Sequence, residues 1–509
     1  MTELPEQLLR PDAYPHRVER IERVETLLSW VFLTGEYAYK VKKPVHFDYV
    51  DFSTLALRKH FCEEELRCNT TYAPELYRDV VAIARSVDGK LTVCASDRAD
   101  GATIVDYAVK MLQFDPTAQA DRRLDAGLLG VEDLRQFGRT LATQHALLAA
   151  IDAPVDPVAP MLDNFTTLRT AASAAHLRVS LAQLDQATRE EAAQAKPLLS
   201  LRHREGFTRE CHGDLHLQNM VLTERGIRAF DCLEFDRTLR VIDVWCDAAF
   251  LVMDCCVRGR EDLGYAFIDG YLDQSGDYAG VALLPLYARY RAMVRAKVAA
   301  LQLEQSFASR KLDMLNALVA WATRQRCRGP GQLVVTCGVS GSGKSFWAAQ
   351  LAPALPAIRL RSDVLRKYRH GLPPTGDSGS AVAGGIYGEQ STRDVYGQLA
   401  ALARELLQRG ENVIVDCTNL QRWQRELFYA AAHAARSRCV LLHFSASQDV
   451  LRQRIAQRRA RANDASEADE DVLEWQLANE EPPAASEPVV CIDSERTSLR
   501  QIMDAVAVS

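Results

Sequence analysis

Short apolar runs separated by longer mixed segments mark the last third of the chain. Residues 333–336, 413–416 and 440–444 are dominated by valine, leucine and isoleucine, and residues 358–363 contain another predicted strand, which leads to an acid. Short apolar, β-branched runs of this kind are typical of strands buried on both faces of a sheet. Because helical patterns lie between them, the sequence predicts an α/β domain with a parallel sheet.

The first part of the chain has a different pattern. Residues 30–34 and 37–42 are strand-like runs on either side of a Gly-Glu dipeptide, which predicts a β-hairpin. Residues 54–69 predict a helix with an apolar stripe. The alanine-rich stretch 168–199 also favours helix, because alanine is the best helix former. This half therefore mixes antiparallel strands with long helices.

A seam rich in Pro and Gly at residues 326–331 separates a helical run from the strand at 333–336. We therefore expect two domains, residues 1–325 and 330–509. A first domain of this size exceeds a single core, so we expect it to be bilobal, with a small lobe to about residue 112 and a large lobe from about 113 to 325. The predicted fold class is an α+β bilobal domain followed by an α/β domain with a parallel sheet.

Composition and charge exclude several classes of protein. The 509 residues are 48% hydrophobic and 25% charged, and the formal net charge of −6 argues against a cationic nucleic-acid binder. The first residues carry neither a basic nor an apolar signal region, and we expect no membrane span. The 13 cysteines lack C-x-x-C spacing, so we expect a cytoplasmic protein without disulfides or a thiolate zinc site.

A glycine-rich loop follows the strand at residues 333–336 and precedes a predicted helix at 346–351. Glycines let backbone N–H groups turn toward phosphates, and the helix N-terminus adds positive potential. Lys344 is expected to reach the β- and γ-phosphates of ATP, and Ser345 to bind Mg²⁺. The predicted ATP-binding residues are Gly338, Ser340, Gly341, Ser342, Gly343, Lys344 and Ser345.

Two acids and an arginine in the same predicted domain as the glycine loop are candidate catalytic or metal-binding residues. Asp363 follows a strand, and Arg366 comes one helical turn later. We expect Asp363 to accept a proton from a hydroxyl and Arg366 to hold an acceptor or a phosphate. The alternative is a helix-capping Asp beside an exposed Arg. Asp416 ends an apolar strand, the Walker-B arrangement, and is expected to hold Mg²⁺ or its water shell.

Arginines are concentrated in a predicted helix near the C-terminus. Arg454, Arg458 and Arg461 share one helical face by their spacing. Such a face can close over ATP as a lid, and we expect Arg454 and Arg458 to contact the nucleotide. The alternative is a solvated basic face that the acidic stretch 464–471 neutralises.

Residues 330–509 resemble the P-loop small-molecule kinases, the group that contains gluconate kinase, polynucleotide kinase and zeta-toxin kinase. The Asp363-x-x-Arg366 pair is similar to the acceptor-activating pair of polynucleotide and zeta-toxin kinases. The resemblance implies phosphoryl transfer from ATP and leaves the acceptor open.

A second motif lies at residues 211–219. Asp214 and Asn219 repeat the Asp-to-Asn spacing of the protein-kinase catalytic loop, in which the Asp accepts the hydroxyl proton and the Asn holds Mg²⁺. Asp231, twelve residues later, is expected to bind the bridging Mg²⁺, with Glu234 as a possible second ligand. Asp247 is expected to brace the loop by accepting its backbone N–H groups.

The predicted hairpin and helix supply a lysine and an acid. Ala38-Tyr39-Lys40 matches the end of the kinase V-A-I-K strand, so Lys40 is expected to pair with the α- and β-phosphates. Lys42 lies on the same face by strand alternation, and the choice between the two lysines stays open. Glu65 lies on the apolar stripe of the helix and is expected to pair with the strand lysine, with Glu64 as the alternative.

The first 325 residues strongly resemble the aminoglycoside phosphotransferase and choline kinase group, a branch of the protein-kinase-like fold. The family motif H-G-D-x-x-x-x-N is matched at all four fixed positions within residues 211–219. The resemblance implies that residues 109–112 link the two lobes and that the Met111 backbone binds adenine. A G-x-G-x-x-G loop is missing from the first 40 residues, and Cys232-Leu233 replaces the usual Phe-Gly.

The whole chain resembles bacterial proteins that fuse an aminoglycoside-phosphotransferase-like domain to a zeta-toxin-like kinase domain. This implies a phosphotransferase with two kinase modules that use ATP and Mg²⁺ and act on small hydroxylated molecules. Two alternatives stay open: a nucleotide-dependent regulator with a pseudokinase half, suggested by the missing glycine loop, and a kinase for nucleic-acid 5′-hydroxyls, suggested by the arginine cluster. The sequence carries no signal for oligomeric state.

Overall fold

The computed structural model describes residues 3–47, 50–96, 103–171, 175–305, 309–326, 329–461 and 464–508. Cys327 and Arg328, inside the predicted seam, lie outside these residues. The chain forms two compact units. The first comprises Met1–Leu129, Leu147–Val155 and His203–Asp247, and the second comprises Gly130–Ala146, Asp156–Arg202 and Ala248–Ser509. The domains expected from the sequence are consecutive, whereas these units interleave along the chain.

The amino-terminal part of the first unit is built on an antiparallel sheet. Its elements are α1 (Glu3–Gln7), β1 (Glu22–Glu25), β2 (Ser29–Leu33), β3 (Tyr37–Lys42), β4 (His46–Phe47), β5 (Val50–Asp51), α2 (Leu55–Tyr72), β6 (Tyr77–Arg85), β7 (Leu91–Ala95), β8 (Thr103–Leu112) and α3 (Ala120–Asp125). Six strands pair in the order β1-β2-β3-β8-β6-β7. The predicted hairpin is β2–β3, and the predicted helix is α2, which the Thr54 hydroxyl caps by accepting the N–H of Leu57 at 3.2 Å.

Helices dominate the middle of the chain. The elements are α4 (Val131–Leu147), α5 (Ala159–Ala171), α6 (Ala175–Arg204), β9 (Thr208–Glu210), β10 (Met220–Thr223), β11 (Gly226–Ala229), β12 (Val241–Asp243), α7 (Val244–Val257), α8 (Glu261–Ser275), α9 (Leu284–Gln305) and α10 (Ser309–Arg326). Two antiparallel ribbons, β9/β12 and β10/β11, belong to the first unit. Among the described helices of the chain, none combines the length and apolar character needed to cross a membrane.

The carboxy-terminal part of the second unit is a parallel sheet with helices between its strands. The elements are β13 (Leu333–Cys337), α11 (Lys344–Ala354), β14 (Ala357–Arg361), α12 (Ser362–Arg369), α13 (Glu389–Gln408), β15 (Asn412–Asp416), α14 (Arg422–Ala435), β16 (Cys439–Ser445), α15 (Gln448–Arg461), α16 (Glu470–Asn479), β17 (Val489–Asp493) and α17 (Leu499–Val508). All five strands are parallel, in the order β14-β15-β13-β16-β17. Their carboxyl ends meet at one edge, where ligands of open α/β sheets bind.

Candidate active sites

The loop between β9 and β10 brings two predicted residues together in the first unit. Asn219 Nδ2 donates to Asp214 Oδ2 at 2.9 Å and to the Asp214 carbonyl at 3.0 Å. The fully buried Asp247 accepts the backbone N–H groups of Gly213 at 2.8 Å and His212 at 3.1 Å, as expected for a brace. Gly213 has φ 83°, and a Cβ there would lie 3.0 Å from that of Arg240, so only glycine fits.

Lys40 and Lys42 both pair with Glu65. Their Nζ atoms lie 2.8 Å from opposite oxygens of the buried carboxylate. Burial alone would raise the pKa of Glu65, but the two ammonium groups hold it at about 2. Lys42 is fully buried and also pairs with Glu234, whereas Lys40 reaches Asp231 at 2.5 Å. The geometry therefore favours Lys40 as the phosphate ligand, because Glu234, the possible second metal ligand, holds Lys42 in an ion pair.

Asp231 follows the β10–β11 hairpin and has a backbone conformation that residues other than glycine rarely adopt. Its φ is 60°, and its N–H donates to the Tyr77 hydroxyl at 3.1 Å. A non-glycine residue with positive φ costs free energy and is concentrated at functional sites. The Asp231 side chain is 45% exposed, so its carboxylate is open to an ion as well as to Lys40.

Glu64 and Glu65 have different ion-pair partners. Glu64 pairs with Arg67 at 2.8 Å and Arg240 at 3.0 Å, away from the strand lysines.

Met111 lies within β8, opposite Ala38 on one side and Tyr77 on the other. The chain thus leaves the sheet only after residue 112, one residue beyond Met111. The adenine-binding role of Met111 stays a prediction.

Replacing Glu65 by Gln is expected to lower the free energy of unfolding by about 3 kcal/mol, the lower end for breaking a buried ion pair, because Asp231 and Glu234 remain beside the lysines. Urea denaturation of the full chain measures this change. Glu63→Gln is the matched control, since Glu63 lies on the same helix, is 54% exposed and pairs with Lys59 at 3.7 Å. The control is expected to change stability by less than about 0.5 kcal/mol, and equal losses in the two variants would contradict the prediction.

The glycine loop of the second unit joins β13 to α11. Gly338 has φ 135°, and a Cβ there would collide with the Phe444 carbonyl. Lys344 is the first residue of α11, and its Nζ donates to the Val339 carbonyl at 2.7 Å and to Ser342 Oγ at 3.4 Å. Burial lowers the pKa of Lys344 to about 8. The lysine therefore lies folded over its own loop, next to backbone groups that can bind phosphate.

The predicted metal residues of this unit lie together. Ser345 Oγ donates to Asp416 Oδ1 at 2.9 Å. The other oxygen of Asp416 faces two arginines of β14, Arg359 Nη1 at 3.1 Å and Arg361 Nε at 3.5 Å. Sequence reasoning missed these arginines. The signal was present, because two charged residues in a strand whose five residues are all buried require buried counter-charges.

Asp363 and Arg366 have different surroundings. Among the described residues Asp363 has neither an ion pair nor a hydrogen bond, and burial raises its pKa. Arg366 Nη1 donates to the Ile386 carbonyl at 2.6 Å, and its guanidinium lies 4.9 Å from the centre of the Tyr387 ring. Asp363 is thus free to accept a hydrogen bond, while Arg366 holds the segment that precedes α13.

The two predicted lid arginines lie on α15. Arg454 Nη1 donates to the Gly341 carbonyl at 3.2 Å and to Ser494 Oγ at 2.9 Å. Arg458 Nη2 donates to the Ala468 carbonyl at 2.8 Å. Arg454 therefore contacts the glycine loop itself, and Arg458 ties α15 to the segment before α16. Their contact with nucleotide stays a prediction.

Two family models match separate stretches of the chain. A family model described as phosphotransferase enzyme family matches residues 90–284, and one described as AAA domain matches residues 333–483. Uncharacterized proteins of Mycobacterium tuberculosis and Mycobacterium bovis are each 30% identical to the chain over 463 residues, which cover 89% of the chain and 90% of the relative.

Two solved structures are similar to parts of the chain. A gluconokinase from Sinorhizobium meliloti is 24% identical and covers 36% of this chain and 91% of its own, with a TM-score of 0.25. A choline/ethanolamine kinase family protein from Mesorhizobium loti is 10% identical and covers 64% of this chain and 94% of its own, with a TM-score of 0.41. The predicted fold class and family resemblance are confirmed. The chain therefore belongs to the same family as the two mycobacterial proteins, and it joins a domain of the phosphotransferase enzyme family to a P-loop kinase domain.

Proposed function

We propose that this phosphotransferase uses ATP at two kinase sites, each of which transfers the γ-phosphate to a hydroxyl group of a small molecule. The observation that carries the proposal is that each unit has a lysine, an aspartate that we expect to accept a proton, and side-chain oxygens of the kind that bind Mg²⁺. The group in the first unit is Lys40, Asp214, Asn219 and Asp231, and that in the second unit is Lys344, Asp363, Ser345 and Asp416.

The donor sets fit Mg²⁺, a hard ion that prefers oxygen ligands. Ser345 and Asp416 would hold it in the second unit, where the hydroxyl and carboxylate oxygens are 2.9 Å apart. Asn219 and Asp231 would hold it in the first. Bound Mg²⁺ would supply positive charge that offsets the negative charge of the ATP phosphates.

In the second unit the phosphates would lie against the N–H groups of the loop at the start of α11. Lys344 would exchange its contact with the Val339 carbonyl for the β- and γ-phosphates. Asp363 would accept the proton of the acceptor hydroxyl, since its carboxylate has no hydrogen-bond or ion-pair partner among the residues that the structure describes and burial raises its pKa. Arg454 already contacts the loop and would neutralise charge that develops during transfer.

In the first unit Asp214 would accept the proton of the acceptor hydroxyl. Asn219 keeps the Asp214 carboxylate oriented by its 2.9 Å hydrogen bond, and Asp247 keeps the loop backbone in place. Lys40 would hold the α- and β-phosphates while Glu65 fixes its position. These residues align donor and acceptor, which is most of what phosphoryl transfer requires from a protein.

The test is phosphate transfer by the full chain from γ-labelled ATP with Mg²⁺ to a pooled extract of small metabolites. We expect at least one labelled organic product, separable from free phosphate by chromatography. Release of free phosphate alone, or no consumption of ATP, would contradict the proposal and favour a nucleotide-dependent regulator. Label on added oligonucleotides with 5′-hydroxyl ends, and on no metabolite, would favour the nucleic-acid kinase.

A further inference from the structure

A network of buried ion pairs in the second unit joins helix α8 to strand β14. Asp269 and Asp273 lie one turn apart on the same face of α8. Arg359 Nε lies 2.7 Å from Asp269 Oδ1, and Arg361 Nη1 lies 2.6 Å from Asp273 Oδ1. A third ion pair, 3.3 Å long, joins Arg359 Nη2 to Asp273 Oδ1. Each arginine of β14 therefore has a partner on α8.

The same arginines contact the predicted metal acid. Asp416 Oδ2 lies 3.1 Å from Arg359 and 3.5 Å from Arg361, while Oδ1 accepts from Ser345. The side chains of Arg359 and Asp269 are 3% and 2% exposed, so water screens little of their charge. Asp416 thus shares two guanidinium groups with the acids of α8.

A second contact ties this network to the helix that starts at the phosphate loop. Arg135 of α4 donates from Nε to Asp269 at 2.9 Å and from Nη2 to the Ala349 carbonyl of α11 at 2.6 Å. A Cβ at Gly270 would collide with the Arg135 carbonyl, which shows how closely α4 and α8 approach. Both helices belong to the stretch matched by the phosphotransferase family, residues 90–284. That stretch therefore contacts the P-loop elements through buried charges.

The number of acids that share the two arginines of β14 affects how readily Asp416 can bind a cation. A carboxylate that accepts charged hydrogen bonds from two arginines is a weaker ligand for a cation than one that shares them with other acids. Burial alone would raise the pKa of Asp273, but the guanidinium groups of Arg361 and Arg359 hold it below its usual range, so the acid stays charged. Without the acids of α8, Asp416 would be the counter-charge that both arginines share, and Arg361 would keep a second partner in Asp464, 3.1 Å away.

We propose that Asp269 and Asp273 are positioning residues of the P-loop site: they share the charges of Arg359 and Arg361 and so leave an oxygen of Asp416 available to the magnesium–nucleotide complex. This inference rests on the proposed ATP binding at the glycine loop. It makes a helix of the phosphotransferase-family stretch a functional part of the other kinase site. Removing a supporting group around a metal ligand commonly costs 10- to 100-fold in metal affinity.

The experiment is calorimetric titration of ADP into the full chain at a series of Mg²⁺ concentrations, and again with EDTA. Mg²⁺ is expected to raise the affinity for ADP, and the Mg²⁺ concentration that gives half of this increase is the quantity to compare. For Asp269→Asn we expect that concentration to be roughly 10-fold higher than for wild type. Affinity in EDTA is expected to match wild type, because Lys344 and the loop are unchanged. Asp262→Asn is the matched control on α8, since Asp262 is 36% exposed and pairs with Arg260. It is expected to behave as wild type.

Asp273→Asn provides a second, milder variant if Asp269→Asn fails to fold, because the Asp273 side chain is 13% exposed and less enclosed. Asp269→Glu is expected to recover most of the Mg²⁺ dependence, since it restores the charge. An unchanged Mg²⁺ requirement in both Asn variants would overturn the inference. Equal loss of affinity with and without Mg²⁺ would also overturn it, since that is the result of a merely structural role. A wild-type chain that binds no ADP would instead overturn the proposed function, and the inference with it.

Discussion

Replacing Asp214 by Asn is expected to lower phosphate transfer by the first kinase site about 10²- to 10⁴-fold, the usual contribution of a general base. Asparagine has nearly the same shape and can still pair with Asn219, whose Nδ2 lies 2.9 Å from the Asp214 carboxylate. It cannot accept the proton of a hydroxyl at neutral pH. The measurement is the initial rate of product labelling from γ-labelled ATP with the full chain.

Two comparisons make the Asp214 result specific. Asp88→Asn removes a carboxylate that is 62% exposed in the same unit, and it should leave the rate unchanged. Products made by the P-loop site should form at the wild-type rate in Asp214→Asn. If every labelled product forms at an unchanged rate in this variant, Asp214 is not the base of an active site.

Replacing Lys344 by Ala is expected to lower transfer by the P-loop site about 10²- to 10³-fold, the cost of removing one preorganised group that stabilises developing charge. The fold should tolerate the change, because alanine favours helix and, within the part of the chain that the structure describes, Lys344 Nζ donates to just the Val339 carbonyl and Ser342 Oγ. Both the rate and the affinity for ADP should fall. Label transfer and calorimetry on the full chain measure the two effects.

Arg452→Ala is the control for lost positive charge near the loop. Arg452 lies on α15 with Arg454 and Arg458, but it is 47% exposed and pairs with Glu470 at 3.0 Å. It should bind ADP and transfer phosphate as wild type does. Equal activity of Lys344→Ala and Arg452→Ala would exclude the glycine loop as the site of transfer.

The sequence predicted the parts of each site that depend on neighbours in the chain. The spacing of Asp214 and Asn219 and the strand-loop-helix order around Lys344 each describe one local structure, and the structure has those elements. Strand alternation also indicated that Lys40 and Lys42 face the same way, but not that both meet Glu65. That pairing depends on the depth at which α2 packs on the sheet.

The sequence patterns could not predict contacts between segments that are far apart along the chain. Arg359 and Asp269 are 90 residues apart, and no periodicity relates a strand position to a helix position over that distance. The same holds for Arg366, whose partner is the Ile386 carbonyl rather than a group on its own helix. The interleaving of the two units is a further example, since local patterns indicate where elements begin and end and not which of them pack together.

The interleaved chain has a consequence for how the protein is made. The first unit has all of its residues once synthesis has passed Asp247, whereas the second starts at Gly130 and ends at Ser509. At about 5–20 residues per second, Asp269 leaves the ribosome roughly 5–18 s before Arg359, 90 residues later. During that interval the apolar face of α8 and its two carboxylates have no strand to pack against. The buried ion pairs between α8 and β14 therefore cannot form until β14 has been synthesised.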